Sequence, residues 1–109
     1  MTRIVLVAFA LCLCAGTAFA QDAARGKQAY VDSKCAVCHS IAGEGNKKGA
    51  ELDGVAAKLT PDQIRGWITN APDMAAKANV TRKPPMKAYT DFSKEKVDDL
   101  VAYLSTLKR

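Results

Sequence analysis

Two thiols and one imidazole stand together in Cys35-Ala36-Val37-Cys38-His39. Cysteines two residues apart share one short turn, so both sulfur atoms can serve a single acceptor, and the histidine is held beside them. This C-x-x-C-H spacing is the attachment signature of c-type haem. Each sulfur adds across one haem vinyl group, and the imidazole supplies an axial ligand to the iron. Two other chemistries use C-x-x-C. A redox dithiol requires a βαβ surround, whereas the neighbouring sequence is alanine-rich and helical. A tetrahedral zinc site requires further Cys or His ligands at finger-like spacing. This chain has one histidine, and its other cysteines, Cys12 and Cys14, fall in a segment that reads as a cleaved leader. The motif therefore predicts one haem c, covalent through Cys35 and Cys38, with His39 on the iron.

The opposite axial position is open to His, Met, Lys, an amine or nothing. No second histidine exists, and beyond the leader the methionines are Met74 and Met86. Met74 lies in Asp73-Met74-Ala75-Ala76, a setting in which methionine serves as a core filler. Met86 follows Lys83-Pro84-Pro85. Prolines fix φ, lack amide hydrogens and push their predecessors into extended backbone. That stiff strap favours Met86 over Met74 as the second metal ligand. Iron held by nitrogen on one face and thioether sulfur on the other has no open position, and the thioether favours the ferrous state. Such a site changes redox state without binding a substrate, which predicts an electron carrier, not an enzyme. Two alternatives stay open. One is a peroxidase-like haem enzyme or gas-binding sensor with a displaceable sixth ligand. The other is a dedicated cytochrome subunit of an oxidoreductase complex.

Helices must position these groups. Asp22 is a candidate N-cap for a first helix reaching about Ser33, with Gly26 and Tyr30 four apart on one face. Residues 40–58 carry Gly43, Gly45, Gly49 and Gly54 and read as loop. Thr60-Pro61-Asp62-Gln63 opens a helix with an N-cap, a proline at the first helical position and a capping-box partner. Ile64, Trp67, Ile68 and Ala71 share a face of it, Asn70-Ala71-Pro72 ends it, and 73–78 adds a short helical turn. Ser93 caps a last helix to about Leu107, with Val97, Leu100, Val101 and Leu104 as its apolar stripe. No run alternates long enough for a strand, so the class is all-α. The Trp67 ring belongs to the core, and its indole N–H needs an acceptor where buried, for which a haem propionate is suited. Arg65 is a weaker candidate for the same role. Tyr89 and Phe92 pack against the haem or the last helix.

The order of these parts resembles the class I monohaem cytochromes c of small bacterial type, over essentially all of the chain beyond the leader. That family places C-x-x-C-H after a first helix, then a G-P-x-L-x-G loop, then a methionine in a proline-bearing loop before the last helix. Here the corresponding segments are Cys35 to His39, Gly49-Ala50-Glu51-Leu52-Asp53-Gly54, and Pro84-Pro85-Met86. The resemblance implies the cytochrome c fold, three to five helices wrapped around one covalently bound haem. It implies that Gly26 and Tyr30 cross Leu100 and Tyr103, and that an aromatic near Trp67 reaches a propionate. It also implies that the carbonyl of residue 50 accepts the proton of the axial histidine's second nitrogen. The family usually has proline at the position of Ala50; a carbonyl survives that change, whereas the stiffness of the ring does not.

Residues 1–20 read as a secretory signal peptide: Arg3, an apolar run from Ile4 to Ala15, and the small-x-small site Ala18-Phe19-Ala20. The run is shorter than the roughly 20 residues of a membrane-spanning helix, so stable membrane insertion is not expected. Export of a monomer to the periplasm is. Residues 21–109 form one small domain whose limited apolar core a flat covalent cofactor would complete. Loss of Arg3 lowers the formal charge from +5 to +4, and no basic helix with interleaved aromatics points to nucleic acid. Lys47, Lys48, Arg82, Lys83 and Lys87 flank the proposed site, a rim suited to redox protein partners with acidic docking surfaces. Asn79-Val80-Thr81 is a formal glycosylation triplet, set aside for an export signal of bacterial type.

Overall fold

The computed structural model describes residues 14–109, with side chains from Asp22 onward. In chain order it contains α1 (Cys14–Asp32), a 3-10 turn at Cys35–Val37, β1 (Ser40–Ile41), β2 (Glu44–Gly45), α2 (Val55–Lys58), α3 (Pro61–Thr69), α4 (Ala71–Ala78) and α5 (Lys94–Leu104). The class is all-α, as expected. The signal-peptide expectation falls in part outside the described residues, since 1–13 are not among them. From Cys14 the chain is helical through the expected cleavage point, so Asp22 lies inside α1 and is not its cap. The alanine-rich stretch from 15 to 24 explains the continuity, alanine being the strongest helix former. Asp22 instead pairs with Arg25 one turn on.

The crossing of α1 and α5 organises the domain. A Cβ at Gly26 would stand 1.9 Å from the Asp99 carbonyl oxygen and 2.6 Å from Tyr103 Cβ, so the two backbones touch at a point only glycine allows. Tyr30 and Tyr103 meet edge to face, with centroids 5.9 Å apart. Around this contact Tyr30, Ile64, Ile68, Val97, Leu100, Val101 and Leu104 form the buried core. α3 begins with the full capping box, Thr60 accepting from the Gln63 amide and Gln63 reaching back to the Thr60 amide. Ser93 caps α5 through the Lys96 amide. That helix ends at Leu104, short of Leu107, because the tail turns away and the Leu107 carbonyl accepts from the Ala56 amide of α2.

Two further expectations change. Residues 40–58 are not wholly loop: β1 and β2 pair antiparallel, Ser40 opposite Gly45 and Ile41 opposite Glu44. Ala42 and Gly43 make the turn with φ of 52° and 81°, the positive values that a tight two-residue hairpin requires. Trp67 is half-buried and does not pack on the core cluster, which Ile64 and Ile68 of the same helix do join. Its ring stands at the edge of the stripe, about 60° round the helix from Ile64.

The Tyr30 hydroxyl is buried without a partner. Burial pushes its pKa up to about 12 from the usual 10.0, and Cys35, Tyr103 and Asp53 add to the shift. A tyrosine raised in this way contributes stability that is complete below pH 10 and is lost as the pH rises towards about 12. Tyr30→Phe removes an orphaned hydroxyl while keeping the ring, so stability at pH 7 should be unchanged or higher. Its loss of stability above pH 10 should be shallower than wild type. Urea unfolding at neutral and alkaline pH measures both.

Candidate functional site

The C-x-x-C-H segment folds as one tight turn. Lys34 takes the left-handed conformation (φ 59°) that ends α1 and starts the 3-10 turn. The amides of Cys38 and His39 both donate to the Cys35 carbonyl, at 3.2 and 3.0 Å. Two half-buried, unpaired thiols and the imidazole are thereby held on one turn. Burial pushes the Cys35 thiol up, with the Lys96 ammonium pulling the other way. The Tyr89 hydroxyl is also raised, by burial first and then by Cys35 and Cys38. The Tyr89 ring is stacked on Phe92, with centroids 4.5 Å apart.

His39 Nδ1 lies 2.7 Å from the Ala50 carbonyl oxygen. A carbonyl only accepts, so Nδ1 carries the proton and Nε2 keeps its lone pair for a metal. The contact expected of a proline-bearing loop thus persists with alanine. Gly49 closes in on the ring: a Cβ there would stand 2.9 Å from His39 Cε1. An oriented imidazole beside two free thiols fits the donor set of an attached haem c.

Met86 is half-buried in the irregular segment between α4 and α5. That segment is pinned three residues later, where the Tyr89 amide donates to the Ile68 carbonyl at 3.0 Å. The Met74 thioether lies over Gly66, where a Cβ would come within 3.0 Å of the sulfur. Arg65 binds Asp98 of α5 at 2.5 Å, and Lys94 holds the same carboxylate at 2.9 Å. These two hydrogen bonds keep the Asp98 carboxyl below its usual range. Arg65 is thus a helix-to-helix tie. Asp53, not singled out from the sequence, accepts from the Ala42 amide at 2.8 Å. Among the described residues no three His, Cys, Asp or Glu side chains converge as a metal cluster, and no helix is long and apolar enough to cross a membrane.

Fold and site together define the class of small helical domains built to carry a c-type haem. The family model Cytochrome c matches residues 23–108, and the chain belongs to that family. Haem c as cofactor and electron transfer as chemistry follow from that membership. The chain is also similar to cytochrome c oxidase subunit 2 of Alkalihalophilus pseudofirmus, 31 % identical over 92 residues that take in 77 % of this chain. It spans about a quarter (25 %) of the length of that curated relative. No solved structure matches it.

Proposed function

We propose that the chain is an exported one-electron carrier, its haem c attached through Cys35 and Cys38 and its iron held between His39 and Met86. The observation that carries this reading is the His39 Nδ1 to Ala50 carbonyl bond, which leaves Nε2 free beside two unpaired thiols. The bound haem supplies a one-electron change at iron. Cys35 and Cys38 would tether it, and His39 and Met86 would ligate its iron. The Met74 sulfur packs beside Gly66 of α3, which supports Met86 as the methionine for the iron. Trp67, half-buried and outside the core cluster, serves as an indole donor to a propionate. Two protein ligands leave no position for a substrate, which supports a carrier over an enzyme. Lys47, Lys48, Arg82, Lys83 and Lys87 are all exposed and suit a redox partner with an acidic face. Removal of residues 1–20 and release of a monomer into the periplasm complete the reading.

Absorption spectra of the holoprotein test it. A low-spin spectrum with a sulfur-to-iron band when oxidised, and no change on adding carbon monoxide to the reduced form, are expected. Fast carbon monoxide binding at neutral pH would instead place the chain among gas-binding or peroxidase-like haem proteins. The likeness to an oxidase subunit favours a second reading, in which the domain delivers electrons inside an oxidoreductase complex. Co-purification with a membrane oxidase at high salt distinguishes a subunit from a free carrier.

A further inference from the structure

Residues 38–42 run between two neighbours. On one edge the Asn46 amide donates to the His39 carbonyl at 3.1 Å, continuing the hairpin of β1 and β2. On the other edge residues 49–53 run alongside in parallel. The Gly49 amide donates to the Cys38 carbonyl at 2.6 Å, and the Leu52 amide to the Ser40 carbonyl at 2.9 Å. Ser40 and Glu51 form the parallel bridge between these segments. His39 and Ala50 sit between the two rungs, so the rungs set where the carbonyl meets the ring.

The next rung would fall at Ala42, but the backbone ends its run there. Gly54 turns left-handed (φ 72°) and α2 begins at Val55. The Ala42 amide belongs to a non-glycine residue at φ 52°, a conformation that persists only when its surroundings enforce it. The Asp53 carboxylate supplies the missing acceptor, at 2.8 Å.

We propose that Asp53 is a positioning residue for the axial histidine: a side-chain rung that fixes the register of residues 49–53 and so keeps the Ala50 carbonyl on His39 Nδ1. This rests on the reading of His39 as an iron ligand. Alanine at residue 50 leaves φ free, so hydrogen bonds must hold the register that a ring would otherwise restrict. The Lys47–Glu51 pair, 3.9 Å apart and exposed, is too weak to do so. The gap has no slack, because the imidazole already fills the space where a Gly49 Cβ would lie. A slipped segment therefore moves the acceptor on Nδ1, and that acceptor sets how strongly Nε2 donates to the metal. The role needs an acceptor, not a charge.

The test uses the reduced holoprotein, labelled with nitrogen-15 histidine, and reads exchange of the His39 Nδ1 proton by NMR together with the reduction potential. Asp53→Ala should speed exchange about ten-fold or more, the scale set by losing a hydrogen bond to a charged group, and should shift the potential. Asp53→Asn keeps the acceptor and should stay close to wild type on both. If Asp53→Ala lowers the melting temperature but leaves ring exchange and potential unmoved, Asp53 is only structural and the proposal fails. It fails equally if Asn behaves as Ala. A measurement on wild type alone stands even if Asp53→Ala does not fold. The Ala42 amide and the His39 ring proton should exchange through one opening with matched protection, and independent opening overturns the proposal. Failure of the ligand reading looks different: wild type itself would lack an iron-bound histidine signature, which overturns this proposal with it.

Discussion

Gly26→Ala is expected to lower the melting temperature of the holoprotein by roughly 10 °C or more, at about 4–8 °C per kcal/mol for a domain of this size. The added Cβ would lie 1.9 Å from a backbone oxygen and 2.6 Å from Tyr103 Cβ, neither of which belongs to a flexible side-chain end. Overpacking costs typically 1–3 kcal/mol and sometimes more, and two unyielding neighbours place this site at or above about 3. Alanine's better helix propensity returns about 1 kcal/mol, leaving a net loss of about 2 or more. Stabilities near 0.05–0.15 kcal/mol per residue make that a large fraction for so short a chain. Gly26→Val adds two methyl groups to the same clash and should not accumulate as folded protein. Thermal unfolding followed by far-ultraviolet circular dichroism decides; a melting curve that overlays wild type would mean that the helices cross less closely.

That contact was legible because its cause is local and steric. Glycine inside a helix carries an energetic penalty, and a tyrosine one turn away marks the face on which it is offset. The caps at Thr60 and Ser93 were legible for the same reason, each satisfying amides within its own first turn. The hairpin at Ser40–Gly45 was not. Its strands are two residues long and their pairing depends on Ala42 adopting positive φ, which side-chain alternation cannot signal. The end of α5 was also overrun, since the Leu107 carbonyl is claimed by Ala56, about 50 residues away in sequence.

At the candidate site, the grouping of side chains fixed by spacing along the chain was readable and the grouping set by tertiary contacts was not. Cys35, Cys38 and His39 follow from their order along the chain, and the Ala50 carbonyl bond followed from resemblance despite the missing proline. Arg65 shows the limit. Nothing near residue 65 announces that Asp98, 33 positions later, will take its guanidinium. Trp67 shows another: the stripe of Ile64, Ile68 and Ala71 suggests a core ring, but burial depends on which elements face that edge. Asp53 is a third case: its partner is an amide 11 residues earlier, in a different segment of the chain.

Met86→Ala should change three properties of the holoprotein at once, while Met74→Leu changes none of them. The sulfur-to-iron band should vanish. The potential should fall by on the order of 0.1 V or more, within the roughly 0.8 V that axial ligation commands. The reduced protein should then bind carbon monoxide readily. Under the proposed His39/Met86 ligation each effect has the same origin: a soft sulfur donor would be replaced by water or by nothing, which stabilises ferrous iron less and opens a coordination position. Met74→Leu is the matched control because the Met74 sulfur packs on Gly66 of α3, and leucine preserves most of that volume. The two substitutions separate ligand from filler without relying on stability, which both will lower somewhat. The reverse pattern, with the band lost in Met74→Leu and kept in Met86→Ala, would reassign the ligand and leave the carrier reading intact. Absence of the band from the wild-type holoprotein itself would mean that sulfur does not close the iron. The argument against an enzyme would then fall, because it rests on that closure and not on the attachment of haem.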